Sequence, residues 1–285
     1  MAALVTRPRR AALAGRLPEA ASYAAAGLAC AVALLPFFYI VSTSVKETTS
    51  LFHYPPDWIP KHFYWGNYTE LLFHKPFLRW TFNTLFVATA VTCVKVLFDS
   101  MAGYAFARME FPGKEPLFVI ILATLMIPFS TILIPLFFIV RALHLLNTYW
   151  ALILPPLASP IGIFMMRNFI EGLPQELANA ARLDGCSEFE VYRRVFLPLI
   201  KPGLVVLGVF VFMTQYTSFL WPLVTVSNDN LRVLTTGISS LKAIFTTDWG
   251  LISAAGVLAM IPITVVFLLL QRYFIAGSLA GALKQ

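Results

Sequence analysis

Charge is what this sequence has least of. Only 12% of its 285 residues are Asp, Glu, Lys or Arg, against about 25% in a soluble domain. Hydrophobic residues make up 59%, and the mean hydropathy is +0.76. These figures exclude a disordered chain, a collagen-like fibre and an ordinary soluble enzyme. Cysteine is scarce too. Cys30, Cys93 and Cys186 cannot staple a small secreted scaffold. The four histidines (His53, His62, His74, His144) show no metal-ligand spacing, so no zinc or iron centre is expected. The chain also lacks a Gly-x-x-x-x-Gly-Lys-Ser/Thr loop, a nucleophile elbow and a His-Glu-x-x-His helix. It cannot cradle ATP phosphates itself, and a membrane-embedded enzyme would have no candidate catalytic residues.

What is there is apolar sequence in long runs. A helix needs about 20 mostly apolar residues to cross the hydrocarbon core. Six stretches qualify: 23–44, 81–106, 116–140, 149–170, 203–226 and 250–273. The first is longer than the roughly 7–15 residues of a signal-peptide core, and no small-x-small cleavage site follows it. It is read as a true span. The fold class is therefore an all-α integral membrane protein with six transmembrane helices. A net charge of +7 would suggest nucleic acid in a soluble protein. Here it reports topology, and the expected partner is the lipid membrane, not nucleic acid.

With the N-terminus inside, 13 Lys and Arg lie at inner span ends or inner loops, among them Arg7, Arg108, Arg182 and Lys201. Seven lie outside, from Lys46 to Lys242. Both termini are thus expected in the cytoplasm. The segments are 1–22 (cytoplasmic), 23–273 (transmembrane, with outer loops 45–80 and 227–249) and 274–285 (cytoplasmic tail). Trp58, Trp65, Trp80, Trp150, Trp221 and Trp249 all fall on the outer side, as interfacial tryptophans would.

The inner loop 171–202 carries helix grammar. Pro174 and Glu176 suit a first turn, a short helix follows over 175–183, and Gly185 suits its C-cap. Ser187 and Glu190 fit a capping box that opens a second short helix, which should stop before Pro198 and Pro202. Ala178, Ala180, Ala181 and Gly185 allow another backbone to approach closely. Leu177, Phe189, Val191 and Val195 add apolar area. Glu188 and Glu190 read as a solvated face. Physically the loop is either an amphipathic pair lying on the headgroups or a plug for a groove on a soluble partner.

Asn179-Ala180-Ala181-Arg182-Leu183-Asp184-Gly185, followed by Val195-Phe196-Leu197-Pro198, resembles the cytoplasmic EAA loop of ABC importer permeases. Asn179 replaces the family's Glu, and Glu176 stands three residues earlier on the same face. Trp58-Ile-Pro, Asn67-Tyr68, Ala105-Phe-Ala-Arg108, Leu220-Trp-Pro-Leu223 and the tail from Gln271 to Lys284 look like maltose-permease-like subunits. The resemblance implies a type I importer fold and a binding-protein-dependent sugar importer in the bacterial inner membrane. It implies a second permease subunit in a heterodimer, an ABC ATPase dimer and an extracytoplasmic solute-binding protein. No cofactor is expected on this chain, with ATP and Mg on the ATPase subunits. By the same resemblance Glu176, Asn179, Ala180, Ala181, Asp184, Gly185, Cys186, Leu197 and Pro198 would couple to the ATPase. The outer loop containing Asn228, Asp229 and Asn230 would face the binding protein.

Polar residues inside spans need a reason. Asn83, Thr84, Gln215, Tyr216, Thr217 and Ser218 offer hydroxyl-matching groups for a translocation path, or hydrogen-bonding glue between helices. Lys95 and Asp99, four apart on one face, read as an internal ion pair. The alternative is a proton-coupled secondary transporter using them. Pro128, Pro135, Pro155, Pro156 and Pro160 are expected to break spans three and four. The sugar itself stays open, from monosaccharides to glycerol-phosphate esters.

Overall fold

The computed structural model describes the backbone of residues 9–52, 57–242 and 247–282, and side chains over 21–51, 57–242 and 247–271. The side chains of Arg7, Arg9, Arg10 and Arg16, and those of the 274–285 tail, lie outside the described residues.

Every regular element among the described residues is helical. Three helices run unbroken through apolar sequence: α1 (Arg9–Ser44), α2 (Phe77–Arg108) and α12 (Trp249–Ala282). Between them lie α3 (Lys114–Ala123), α4 (Phe129–Ala142), α5 (Tyr149–Leu157), α6 (Ile161–Glu171) and α7 (Glu176–Leu183). After these come α8 (Glu188–Leu199), α9 (Lys201–Tyr216), α10 (Leu220–Thr225) and α11 (Leu234–Ser240). Among the described residues three helices are long and apolar enough to cross a membrane. The total reaches six when each bent pair counts as one span.

The third expected span is not straight. After a single turn at Thr124–Met126, the chain bends by 100° into α4. Ile127 is extended (ψ 114°) because the Pro128 ring disfavours the helical region for the residue before it. The fourth span bends by 42° between α5 and α6, at residues 158–160. Pro135, Pro155 and Pro156 do not break the chain and lie inside α4 and α5. The fifth is interrupted at 217–219 rather than continuous over 203–226. Pro222, in the first turn of α10, cannot extend a helix arriving from α9, because its ring would meet the carbonyl four residues back.

α2 is the centre of the molecule. It packs against α6, α9 and α5, while α12 packs against α9 and α1. Gly103 makes the α2–α6 contact close: a Cβ there would fall 2.6 Å from Met166 Cβ and 2.9 Å from Arg167 N. The main core joins Val91, Tyr104, Leu152, Met166, Ile170, Val191, Phe196 and Leu207, so it runs from the middle of α2 into the 171–202 loop. Two tryptophans depart from the interfacial reading. Trp80 and Trp221 are buried, at 3% and 4% exposure, and their indole N–H groups bond Asp229 O and Ala151 O.

Candidate functional site: the 171–202 loop and its anchors on α2

The loop is two helices joined by a tight turn. α7 buries Ala178 and Ala181, three residues apart on one face, and leaves Glu176, Asn179, Ala180 and Leu183 exposed. It ends in a Schellman motif. The Gly185 N–H donates to Arg182 O (3.0 Å), and the Cys186 N–H donates to Ala181 O (3.1 Å). This closure needs a left-handed residue, and Gly185 has φ +82°. Asp184 and Gly185 are exposed, while Cys186 is half-buried.

α8 opens with the expected capping box: the Glu190 N–H donates to Ser187 Oγ, and the Ser187 N–H donates to Glu190 Oε2 (3.1 Å). It does not stop before Pro198. Residues 191–196 form a wide π turn that closes with the Leu197 N–H donating to Tyr192 O. Pro198 then sits in the first turn of the next coil, where no donor is needed. Pro202 similarly opens α9. α8 and α9 meet at 80°. Leu197 is half-buried and Pro198 exposed.

One face of α2 grips this loop at three points, spaced four residues apart. Ser100 Oγ and Tyr192 Oη share a hydrogen bond (2.8 Å). Tyr104 Oη donates to Glu188 Oε2 (2.8 Å), and its ring packs against Tyr192 and Phe196. Arg108, 8% exposed, donates to Ile170 O (2.6 Å), to Leu173 O and to Gln175 Oε1, with its guanidinium 5.4 Å from the centre of the Phe196 ring. Arg182 returns the grip from α7, bonding Arg108 O (3.0 Å) and Glu188 Oε1 (2.7 Å).

Neither loop acid is an idle solvated face. Arg182 and Tyr104 together hold the Glu188 carboxyl below its ordinary range, and Glu188 in turn raises Arg182. Hydrogen bonds from Ser187, with Arg194 nearby, lower Glu190. Sequence reasoning found the loop but not these anchors. The available signal was the Ser100, Tyr104, Arg108 spacing on one face of a span.

The other candidate residues are spread across the molecule. Asn83, fully buried, donates to Asn230 O (2.9 Å) and Arg232 O (2.8 Å) and accepts from Tyr149 Oη (2.7 Å). Thr84 accepts from the Leu234 N–H (2.7 Å). These two tie α2 to the 227–234 segment. Tyr216 donates to Ala259 O (2.6 Å), and Thr217, at the C-cap of α9, bonds back to Met213 O in the last turn of that helix. Gln215 and Ser218 line a small cleft with Thr84, Trp221 and Val233, and the Gln215 side chain makes no hydrogen bond among the described residues. Lys95 and Asp99 are buried in α2 with Nζ and Oδ2 2.9 Å apart. A separate cleft of about 430 Å³ is lined by Glu47, Thr48, Tyr64, Asn67, Glu70 and Asp248. Among the described residues no group of His, Cys, Asp and Glu could hold a metal ion.

Residues 99–277 match the family described as binding-protein-dependent transport system inner membrane component. The chain is 34% identical to the arabinooligosaccharides transport system permease protein AraQ of Halalkalibacterium halodurans, over 89% of this chain and 92% of that one. It is 34% identical to the sulfoquinovosyl glycerol transport system permease protein SmoH of Agrobacterium fabrum, covering 92% and 93%. It is 30% identical to the lactose transport system permease protein LacG of Rhizobium radiobacter, covering 94% and 97%. Its fold is that of a chain in the crystal structure of a bacterial ABC transporter for the acidic polysaccharide alginate. There the TM-score is 0.77 at 21% identity, over 94% of this chain and 99% of that one. The apolar helices, the loop anchored on α2 and these relatives place the chain in the binding-protein-dependent transport system inner membrane component family, as a multi-pass membrane permease of the sugar ABC transporter group.

Proposed function

We propose that this chain is one of two different permease subunits in an ATP-driven sugar importer of the bacterial inner membrane. It works with an ABC ATPase dimer and an extracytoplasmic solute-binding protein. Sugar enters from the binding protein at the 227–249 face, and the 171–202 loop receives the motion of the ATPases on the cytoplasmic side. The observation that carries the reading is the construction of that loop. Its tip presents Leu183 (89% exposed) and Phe189 (56% exposed) to the outside, while its root is bonded to α2 through Ser100, Tyr104 and Arg108. A loop that only joined two spans would need neither. Apolar side chains held out on a short rigid helix suit insertion into a groove of a partner, and the bonded root passes the displacement to a central span.

The deciding experiment is to purify the tagged chain gently from its native cells and assay what comes with it. A P-loop ATPase and a second permease are expected. In that complex Asp184→Arg should leave assembly in the membrane intact but cut sugar uptake per ATP hydrolysed by an order of magnitude. Asp184 is exposed, and its side chain makes no hydrogen bond or ion pair among the described residues. A chain that purifies alone and transports when the proton gradient is its only energy source overturns the reading. Normal coupled uptake by the variant overturns the role of the loop.

A further inference from the structure

The Lys95–Asp99 pair is set in an unusual order and an unusual place. On an isolated helix, a cation four residues before an anion is the weaker arrangement, because it opposes the helix dipole. Mutual attraction therefore does not explain why Lys95 precedes Asp99. Their surroundings do. α2 runs parallel to span four in a steady register: Lys95 meets Ser159, Asp99 meets Gly162, and Gly103 meets Met166. The bend between α5 and α6 lies at 158–160, directly beside the pair.

Each charge faces the helix end of opposite sign. Lys95 Nζ donates to Ser159 O at 2.6 Å, just past the carbonyl end of α5. No backbone N–H among the described residues donates to that oxygen. Asp99 lies against the first turn of α6, so close that a Cβ on Gly162 would fall 1.9 Å from Oδ2. That oxygen makes no aligned hydrogen bond, although Lys95 Nζ is 2.9 Å away. The lysine thus sits at a negative helix end and the aspartate at a positive one, both about 95% or more buried. In hydrocarbon, a broken span survives only where neighbours satisfy the freed backbone groups.

We propose that Lys95 and Asp99 are positioning residues that set the bend of span four, by holding the carbonyl end of α5 and the amide end of α6. The pair is neither a proton relay nor a self-neutralising tie within α2. α6 is gripped again at its far end by Arg108, so α2 and α6 move as one piece and span four flexes at 158–160. That this flexing serves uptake rests on the function proposed above. That the pair sets the bend does not.

The test reads the bend itself. In the intact complex, with Cys30, Cys93 and Cys186 replaced, spin labels are placed by Leu154→Cys on α5 and Phe169→Cys on α6, both exposed. Pulsed distance measurement should give one narrow distribution, retained by Lys95→Arg. Lys95→Met, Asp99→Asn and the double variant Lys95→Met/Asp99→Asn should each lose it. The double variant decides between the two explanations. If the charges served only to cancel each other, removing both would restore the narrow distance, and that result overturns the proposal. So does a narrow distribution in all three. Gly162→Ala covers the case in which neutral variants fail to assemble. It keeps both charges but displaces the Asp99 carboxylate, and an unchanged distance there also overturns the proposal. None of these outcomes depends on whether ATP drives transport.

Discussion

Arg108 shows how much one side chain settles at the root of the loop. Its guanidinium bonds the Ile170 carbonyl in the last turn of α6, the Leu173 carbonyl just past it and the Gln175 amide oxygen. Arg108→Ala takes that donor from the Leu173 carbonyl and the Gln175 amide oxygen beside Phe196. It should destabilise the protein by about 3 kcal/mol, read as a fall in thermal midpoint in detergent. Arg108→Lys should recover only a fraction of this, since an ammonium cannot reproduce the planar fork. Glu188 supplies a pH dependence. Its folded pKa is depressed, so its contribution is present above the ordinary carboxylate range and lost as pH falls through the folded value. The carboxylate is 39% exposed, so solvent screening holds the Arg182 pair to about 1 kcal/mol or less. Acid titration of thermal stability should show a small decline in the native chain that Glu188→Gln lacks. Residues like these are hard to read from sequence. Arg108 carries the positive-inside signal and the resemblance alike, yet neither reveals that it is buried. Asn83 has the pattern of a polar group facing a path, and it is spent on two carbonyls and a tyrosine.

At the scale of elements, apolar length was legible and direction was not. The spans expected at 23–44 and 250–273 correspond to the apolar cores of α1 and α12, and the one at 81–106 to α2. The spans at 116–140, 149–170 and 203–226 are apolar as expected but bent or interrupted. A hydropathy window adds up side chains and is blind to a backbone that turns by 100°. The prolines of spans three and four gave incomplete warning: of Pro128, Pro135, Pro155, Pro156 and Pro160, two (Pro128 and Pro160) coincide with a change of direction. The caps of the loop were better signposted, since Gly185 and the Ser187–Glu190 box are local chemistry with few alternatives. Glycine distinguishes two kinds of helix contact. Gly103 is pressed onto the α6 backbone, so Gly103→Ala must push α2 and α6 apart and should cost about 1–3 kcal/mol. Gly208 meets only Val96 and Thr92 methyl groups at 3.6 Å or more. Gly208→Ala should be neutral, or gain up to about 1 kcal/mol from helix propensity. Equal effects in a thermal-stability comparison would contradict this account of α2–α6 packing.

The whole molecule is open on one side and tied on the other. The apolar window of α1 buries nothing, and the α3–α4 elbow exposes Ile120, Met126, Ile134 and Phe138. Lipid or a second subunit must cover such a surface in a chain with only 12% charge. The loop at 171–202 is mixed, exposing Glu176, Asp184 and Gly185 beside Leu183 and Phe189. The three native cysteines sample these two environments. Cys30 and Cys93 lie on the apolar faces of α1 and α2, and Cys186 lies at the turn between α7 and α8. A maleimide reacts with the thiolate, which forms in water and not in hydrocarbon. Under the topology expected from the charge distribution, which puts both termini in the cytoplasm, an impermeant maleimide added to intact spheroplasts should label none of the three. Opening the membrane should expose Cys186 alone, and Cys186→Ser should abolish the signal. Labelling of Cys186 from outside would invert the topology and move the proposed ATPase-facing loop to the wrong side. Under the proposed assembly, an ATPase seated on the loop should also slow this reaction at least about tenfold relative to the chain expressed without its partners. A rate equal in both preparations would place the ATPase contact away from the turn that Gly185 forms.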